Sequence, residues 1–118
     1  MIINESAENY LETILVLSKK LPVVRSINVA NALGVTKSSV CTAMKNLKTK
    51  GHITMSEAGY ICLTESGLEI AELLFERREV IKGVLEKLGV PSEIAAEDAC
   101  KIEHYLSKES FEAIKRIV

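Results

Sequence analysis

The sequence has no tryptophan and only 4% aromatic residues, so a core built from it draws on Leu, Ile, Val and Ala, a mixture that favours helices. No apolar run approaches the ~20 residues that a membrane-spanning helix requires. The opening MIINESAENY lacks the basic-then-apolar order of a secretory signal. Three cysteines, Cys41, Cys62 and Cys100, are an odd number without a CxxC pair, which argues against a disulfide framework. Together these absences lead to the expectation of a cytoplasmic protein with no membrane contact.

A further absence is local. Between Thr13 and Ser56 there is no Asp or Glu, yet seven cations lie there: Lys19, Lys20, Arg25, Lys37, Lys45, Lys48 and Lys50. All sixteen acids and the other eight bases lie outside that window, so a net charge of −1 conceals a basic segment joined to an acidic remainder. Such a division fits a polyanion-facing module attached to an acidic one.

What is present is enough for one or two small units: 118 residues, 47% hydrophobic and 26% charged. Residues 5–19 place Tyr10, Leu11, Ile14, Leu15 and Leu17 on a helical stripe with polar residues opposite, and Pro22 ends that helix. Ser26 opens SINVANAL, stopped by Gly34; Thr36 caps KSSVCTAMKNLKTKG, closed by Gly51. Two helices across a short Gly-containing turn read as a helix-turn-helix. HITMSEAGYICLT then reads as a hairpin around Ser56–Gly59, the layout of a winged helix. Thr64 caps a helix over about 65–88, broken by Gly89 and Pro91; helices follow over about 92–106, capped by Ser92, and 108–117, capped by Ser107. The expected fold is mainly α: a winged helix-turn-helix DNA-binding domain over residues 1–64, then a linker helix and a helical domain over 65–118.

In a helix-turn-helix, the start of the second helix enters the major groove. That part carries Thr36, Lys37, Ser38, Ser39 and Thr42, whose hydroxyls can meet base edges. Lys37, Lys45, Lys48 and Lys50 suit phosphates. No Arg lies between Arg25 and Arg77, so the commonest guanine-reading side chain is missing and DNA shape gains weight. The basic tract has no interleaved aromatics for stacking single strands; the expected partner is a double-stranded DNA operator.

The acidic part contains AEDACKIEHYLS, which sets Cys100, Glu103 and His104 at helical spacing on one face. Thiolate, carboxylate and imidazole together suit Fe(II), Co(II), Ni(II) or Zn(II) better than Mg(II) or Ca(II). Other elements must complete such a shell, and helix one offers Glu5, Glu8, Asn9 and Glu12. Equally, Cys100 can be core and the other two surface. A third reading, a Cys100–His104 nucleophile–base pair of a cysteine hydrolase with Glu103 as orienter, lacks any Gly-rich turn nearby for an oxyanion.

The succession ENYLE, VTKSSVCTAMKNLKTKG with its wing, LTESG and EDACKIEHYLS resembles the diphtheria-toxin-repressor family of metal-dependent transcriptional regulators, over nearly the whole chain. Within that family it resembles the short two-domain form without an SH3-like third domain. The resemblance implies a non-enzymatic repressor of metal-homeostasis genes, without a small-molecule substrate, that binds its operator as a metal-loaded homodimer. The implied ligands are Asn9, Glu12, Cys100, Glu103 and His104. Cys100 resembles iron-responsive members and Glu12 manganese-responsive ones, so Fe(II) is favoured, Mn(II) is next, and Zn(II), Co(II) or Ni(II) are expected to bind in vitro. Accessory ligand positions of the family read Arg78, Lys82 and Ala96 here, which implies one divalent transition metal per protomer. Arg78 is then either a fixed charge beside the carboxylates or a surface residue. Asn9, Arg78 and Lys82 also keep open a winged-helix regulator that has lost metal control. The C-terminal residues Ile94, Ile102, Leu106, Phe111, Ile114 and Ile117 form the expected dimer surface.

Overall fold

The computed structural model describes residues 5–117; the first four residues, part of the stretch read for a signal, lie outside them. The elements are α1 (Glu5–Lys20), α2 (Ser26–Leu33), α3 (Lys37–Thr49), β1 (Ile53–Met55), β2 (Ile61–Leu63), α4 (Glu65–Lys87), α5 (Ser92–Ile102) and α6 (Lys108–Ile117). They form two compact units, the first ending at Glu72 and the second beginning at Leu73.

In the first unit, α1, α2, α3 and the hairpin enclose Leu11, Ile14, Leu15, Val29, Val40, Met44, Leu47, Ile53 and Ile61, all buried. The stripe on α1 is wider than its apolar residues indicate. Glu8 and Glu12 are buried with it, at 7% and 1% exposure, rather than facing solvent. Helix α2 begins with the Arg25 N–H donating to Asn28 Oδ1 at 2.9 Å and ends at Gly34, whose φ of 66° an L-residue adopts reluctantly. Thr36 caps α3 as expected, its Oγ1 accepting the Ser39 N–H at 3.2 Å.

Strands β1 and β2 are antiparallel, Thr54 opposite Cys62, with Ile53 and Ile61 on the buried face. Cys62 is exposed on the other face. The Ile61 N–H donates to Val24 O at 2.8 Å, and the Arg25 guanidinium both stacks on Tyr60 and donates to its hydroxyl at 3.1 Å. These bonds tie the wing to the segment before α2. The wing leads into α4 through a knot around Thr64. Its hydroxyl donates to Gly51 O at 2.7 Å and accepts the Gly67 N–H, while its own N–H reaches His52 O. Gly67 is buried, and a Cβ there would collide with the His52 carbonyl oxygen.

In the second unit, α6 is tied to α4 by a Lys115–Glu76 ion pair at 2.9 Å and by Phe111, which lies beneath the Arg77 guanidinium. Phe111 is only 2% exposed, so it belongs to the core and not to the expected dimer surface; Ile94, Ile102 and Ile117 are exposed. Ser107 caps α6 as expected, accepting the Ser110 N–H at 3.0 Å. Ser92 does not cap α5. Pro91, held near φ −57° and ψ 143°, takes the cap position, and Ser92 Oγ instead donates to Glu86. The helix also ends at Ile102 rather than near 106. Beyond the helix end, the Arg77 guanidinium donates to the carbonyls of Glu103 at 3.1 Å and Leu106 at 2.6 Å, in the region where a helix end leaves carbonyls without amide partners of its own. Among the described residues, no helix is long and apolar enough to cross a membrane.

The close approach at Gly67 gives a direct test. Gly67→Ala raises helix propensity yet forces a methyl into backbone, so it is expected to lower stability by about 2 kcal/mol in denaturant unfolding. An unchanged midpoint would contradict the packing described.

Candidate metal centre and nucleic-acid interface

The chemistry-bearing residues of the second unit sit where α5 gives way to the turn before α6. Cys100 is in the last turn of α5, Glu103 is its C-cap with an N–H bonded to Ala99 O, and His104 follows directly. The expected helical face is therefore part helix and part turn. One ligand atom from each of the three residues still falls within 4.8 Å of the others. Atoms bound at about 2.0–2.3 Å to a shared ion stand roughly 3–4 Å apart, so small rotamer changes separate the observed arrangement from coordination. A thiol, a carboxylate and an imidazole at this spacing fit a divalent transition metal.

Glu103 is the centre of the cluster. Its side chain has 0% exposure, with His104 Nε2 3.5 Å from one oxygen and Arg78 Nε 3.8 Å from the other. The imidazole is nearly as enclosed, at 2%. Arg78 is thus not a surface residue; it is the charge beside the carboxylate. Its neighbour Arg77 binds the carbonyls on either side of His104, fixing the turn that carries Glu103 and His104. Sequence reading left Arg77 unassigned. Arg77 sits with Arg78 between acidic neighbours in FERREV, and no local pattern there marks it out.

Asn9 and Glu12 belong to the first unit, close together on α1, with Asn9 half-buried and Glu12 enclosed. Burial of a carboxylate costs several kcal/mol unless something compensates its charge, which sets Glu12 apart from the exposed Glu5 on the same helix.

Helix α3 buries Val40, Met44 and Leu47 and exposes Ser38, Ser39, Thr42, Lys45, Asn46 and Thr49 on the other side. Lys37, Lys48 and Lys50 are exposed around this face. Several hydroxyls already have local duties. Thr36 is occupied by the cap and donates to Ser39 Oγ at 2.8 Å; Thr42 donates back to Ser38 O at 3.1 Å. Thr42 retains acceptor capacity, but Thr36 is chiefly structural. Asn46 was missed by sequence reading, and helical spacing alone, seven residues after Ser39 and four after Thr42, could have found it. It lines a cleft of about 540 Å³ with Ser38, Ser39, Thr42 and, from α1, Ser6 and Tyr10.

Comparison with known proteins agrees with this division. Residues 3–61 match the N-terminal DNA-binding domain of the iron-dependent repressors, and residues 64–118 match their metal-binding and dimerisation domain. The transcriptional regulator MntR of Escherichia coli is 33% identical over 111 residues, covering 94% of this chain and 72% of that protein. An HTH-type transcriptional regulator of Methanocaldococcus jannaschii is 34% identical over 114 residues, covering 95% and 91%. Among solved structures, a manganese-dependent transcriptional repressor in complex with manganese aligns with a TM-score of 0.85 at 22% identity, over 94% of this chain and 51% of that one. IdeR of T. acidophilum aligns with a TM-score of 0.76 at 25% identity, over 99% and 55%. This chain spans about half the length of those two structures, whose likeness supports the winged helix followed by a helical domain. The chain belongs to the iron-dependent repressor family, metal-binding and DNA-binding transcriptional regulators that are not enzymes.

Proposed function

We propose that this chain is a metal-responsive repressor in which one divalent transition metal per protomer acts as co-repressor, Fe(II) being favoured and Mn(II) next. The observation that carries this reading is the enclosed Cys100–Glu103–His104 cluster, with ligand atoms inside 4.8 Å. A thiolate among the ligands favours iron, while the carboxylates accept manganese equally well. Zn(II), Co(II) and Ni(II) suit the same donors in vitro.

Asn9 and Glu12 complete the ligand set in this proposal, with the working boundary between DNA-binding and metal-binding parts at Thr64. When bound, the metal supplies the positive charge that lets buried carboxylates from both parts share one site. Ligands on α1 and at the end of α5 bind together only in one relative orientation of the two parts, so loading shifts the population toward it. In a homodimer formed through Ile94, Ile102, Leu106, Ile114 and Ile117, that orientation sets the two α3 helices about one DNA turn apart. On duplex operator DNA, Lys37, Lys45, Lys48 and Lys50 hold phosphates, while Ser38, Ser39, Thr42 and Asn46 face the bases. The free thiols fit a reducing cytoplasm.

Promoter-DNA binding with chelator, Fe(II), Mn(II) and Zn(II) in parallel tests this reading. Fe(II) or Mn(II) is expected to tighten binding by roughly 10–100-fold, the usual range of allosteric coupling. Binding indifferent to every metal would end it, and would favour a regulator in which Arg78 neutralises Glu103 permanently. The two kinds of α3 contact separate by salt dependence and sequence dependence. Lys45→Ala is expected to weaken all sequences alike and reduce the salt slope by about 1. Asn46→Ala is expected to leave the slope unchanged and relax discrimination at one base pair by about 1–3 kcal/mol. The reverse pattern would remove α3 from the groove.

A further inference from the structure

The two oxygens of Glu103 face different nitrogen groups. One is 3.5 Å from His104 Nε2, a nitrogen that can bind metal; the other is 3.8 Å from Arg78 Nε, which cannot. The Arg78 side chain is 28% exposed while Glu103 has no exposure, and the Arg78 Nε that faces the carboxylate is itself buried. A guanidinium keeps its charge at any pH a protein experiences, so this compensation is permanent. It acts in two opposed ways. Without metal, it offsets the cost of burying the Glu103 carboxylate. Toward a divalent ion held by Cys100, Glu103 and His104, the same fixed charge is repulsive and reserves part of Glu103 for itself.

We propose that Arg78 is a built-in counter-ion that stabilises the metal-free cluster and, by opposing the incoming ion, sets the metal concentration at which the protein loads. This rests on the metal-centre reading above and adds to it a positioning residue that tunes affinity downward. A merely structural arginine would behave differently, since its loss would disorder the cluster and weaken metal binding along with the fold.

The opposite signs make the test. The full chain with Arg78→Gln and with Arg78→Lys is compared with wild type in two measurements: melting temperature in chelator, and Mn(II) and Co(II) affinity by competition with a chromophoric chelator. Arg78→Gln is expected to melt several degrees lower without metal yet bind Mn(II) about tenfold more tightly, a unit charge having left the neighbourhood of a divalent ion. Arg78→Lys, which keeps the charge, is expected to stay near wild type in both. If Arg78→Gln does not fold, Arg78→Met keeps the apolar stem and removes the charge equally. Metal affinity that is unchanged or weaker in the neutral variant overturns the proposal and leaves the metal centre standing. Absence of metal binding in wild type and variants alike overturns the metal centre itself, and this proposal with it.

Discussion

A carboxylate with no solvent exposure is the constraint around which the second unit is organised. Glu103 cannot be buried without compensation, because the desolvation of an isolated charge costs several kcal/mol. The fold answers with a guanidinium on one side and an imidazole on the other. It also ends α5 early, so that the residue carrying the carboxylate is a C-cap and the next residue can turn toward it. Charge compensation and the turn after α5 therefore meet at one residue, where two adjacent arginines of α4 act on its backbone and its side chain.

The first unit is governed by a different economy. Its core is apolar and conventional, its wing is tied down at both ends, and its exposed α3 face carries small polar and basic side chains suited to a groove. The exception is α1, where Glu8 and Glu12 are buried within an otherwise apolar stripe. In the proposed mechanism Glu12 is a ligand to the co-repressor metal, a role that an apolar stripe does not supply. Metal loading then shifts a population instead of locking one state, which suits a reversible switch.

Much of this was legible in the residues. The caps Thr36, Thr64 and Ser107, the stops Gly34 and Gly51, and the change of period at His52 mark the elements because local chemistry decides them. Cys100, Glu103 and His104 were legible because spacing places them together in helix or tight turn alike. What escaped was decided by tertiary contacts. The carbonyls past the end of α5 are held by Arg77, 26 residues away from Glu103. The Ser92 cap was displaced because Pro91 already supplied the extended geometry. Phe111 looked like interface from its amphipathic helix, yet Arg77 and Lys115 cover it. The need for glycine at 67 lies in the position of a carbonyl fifteen residues earlier, which no local pattern encodes.

The central claim is that Cys100, Glu103 and His104 hold one metal ion, with the thiolate as a ligand. Titration of the full chain with Co(II), followed by near-ultraviolet and visible absorption, measures both parts of it. A thiolate-to-cobalt charge-transfer band that saturates at one equivalent per chain, and that disappears in Cys100→Ser while binding persists more weakly, is the predicted result. Saturation at two equivalents, or a d–d spectrum with no thiolate band in the wild-type protein, would contradict the account.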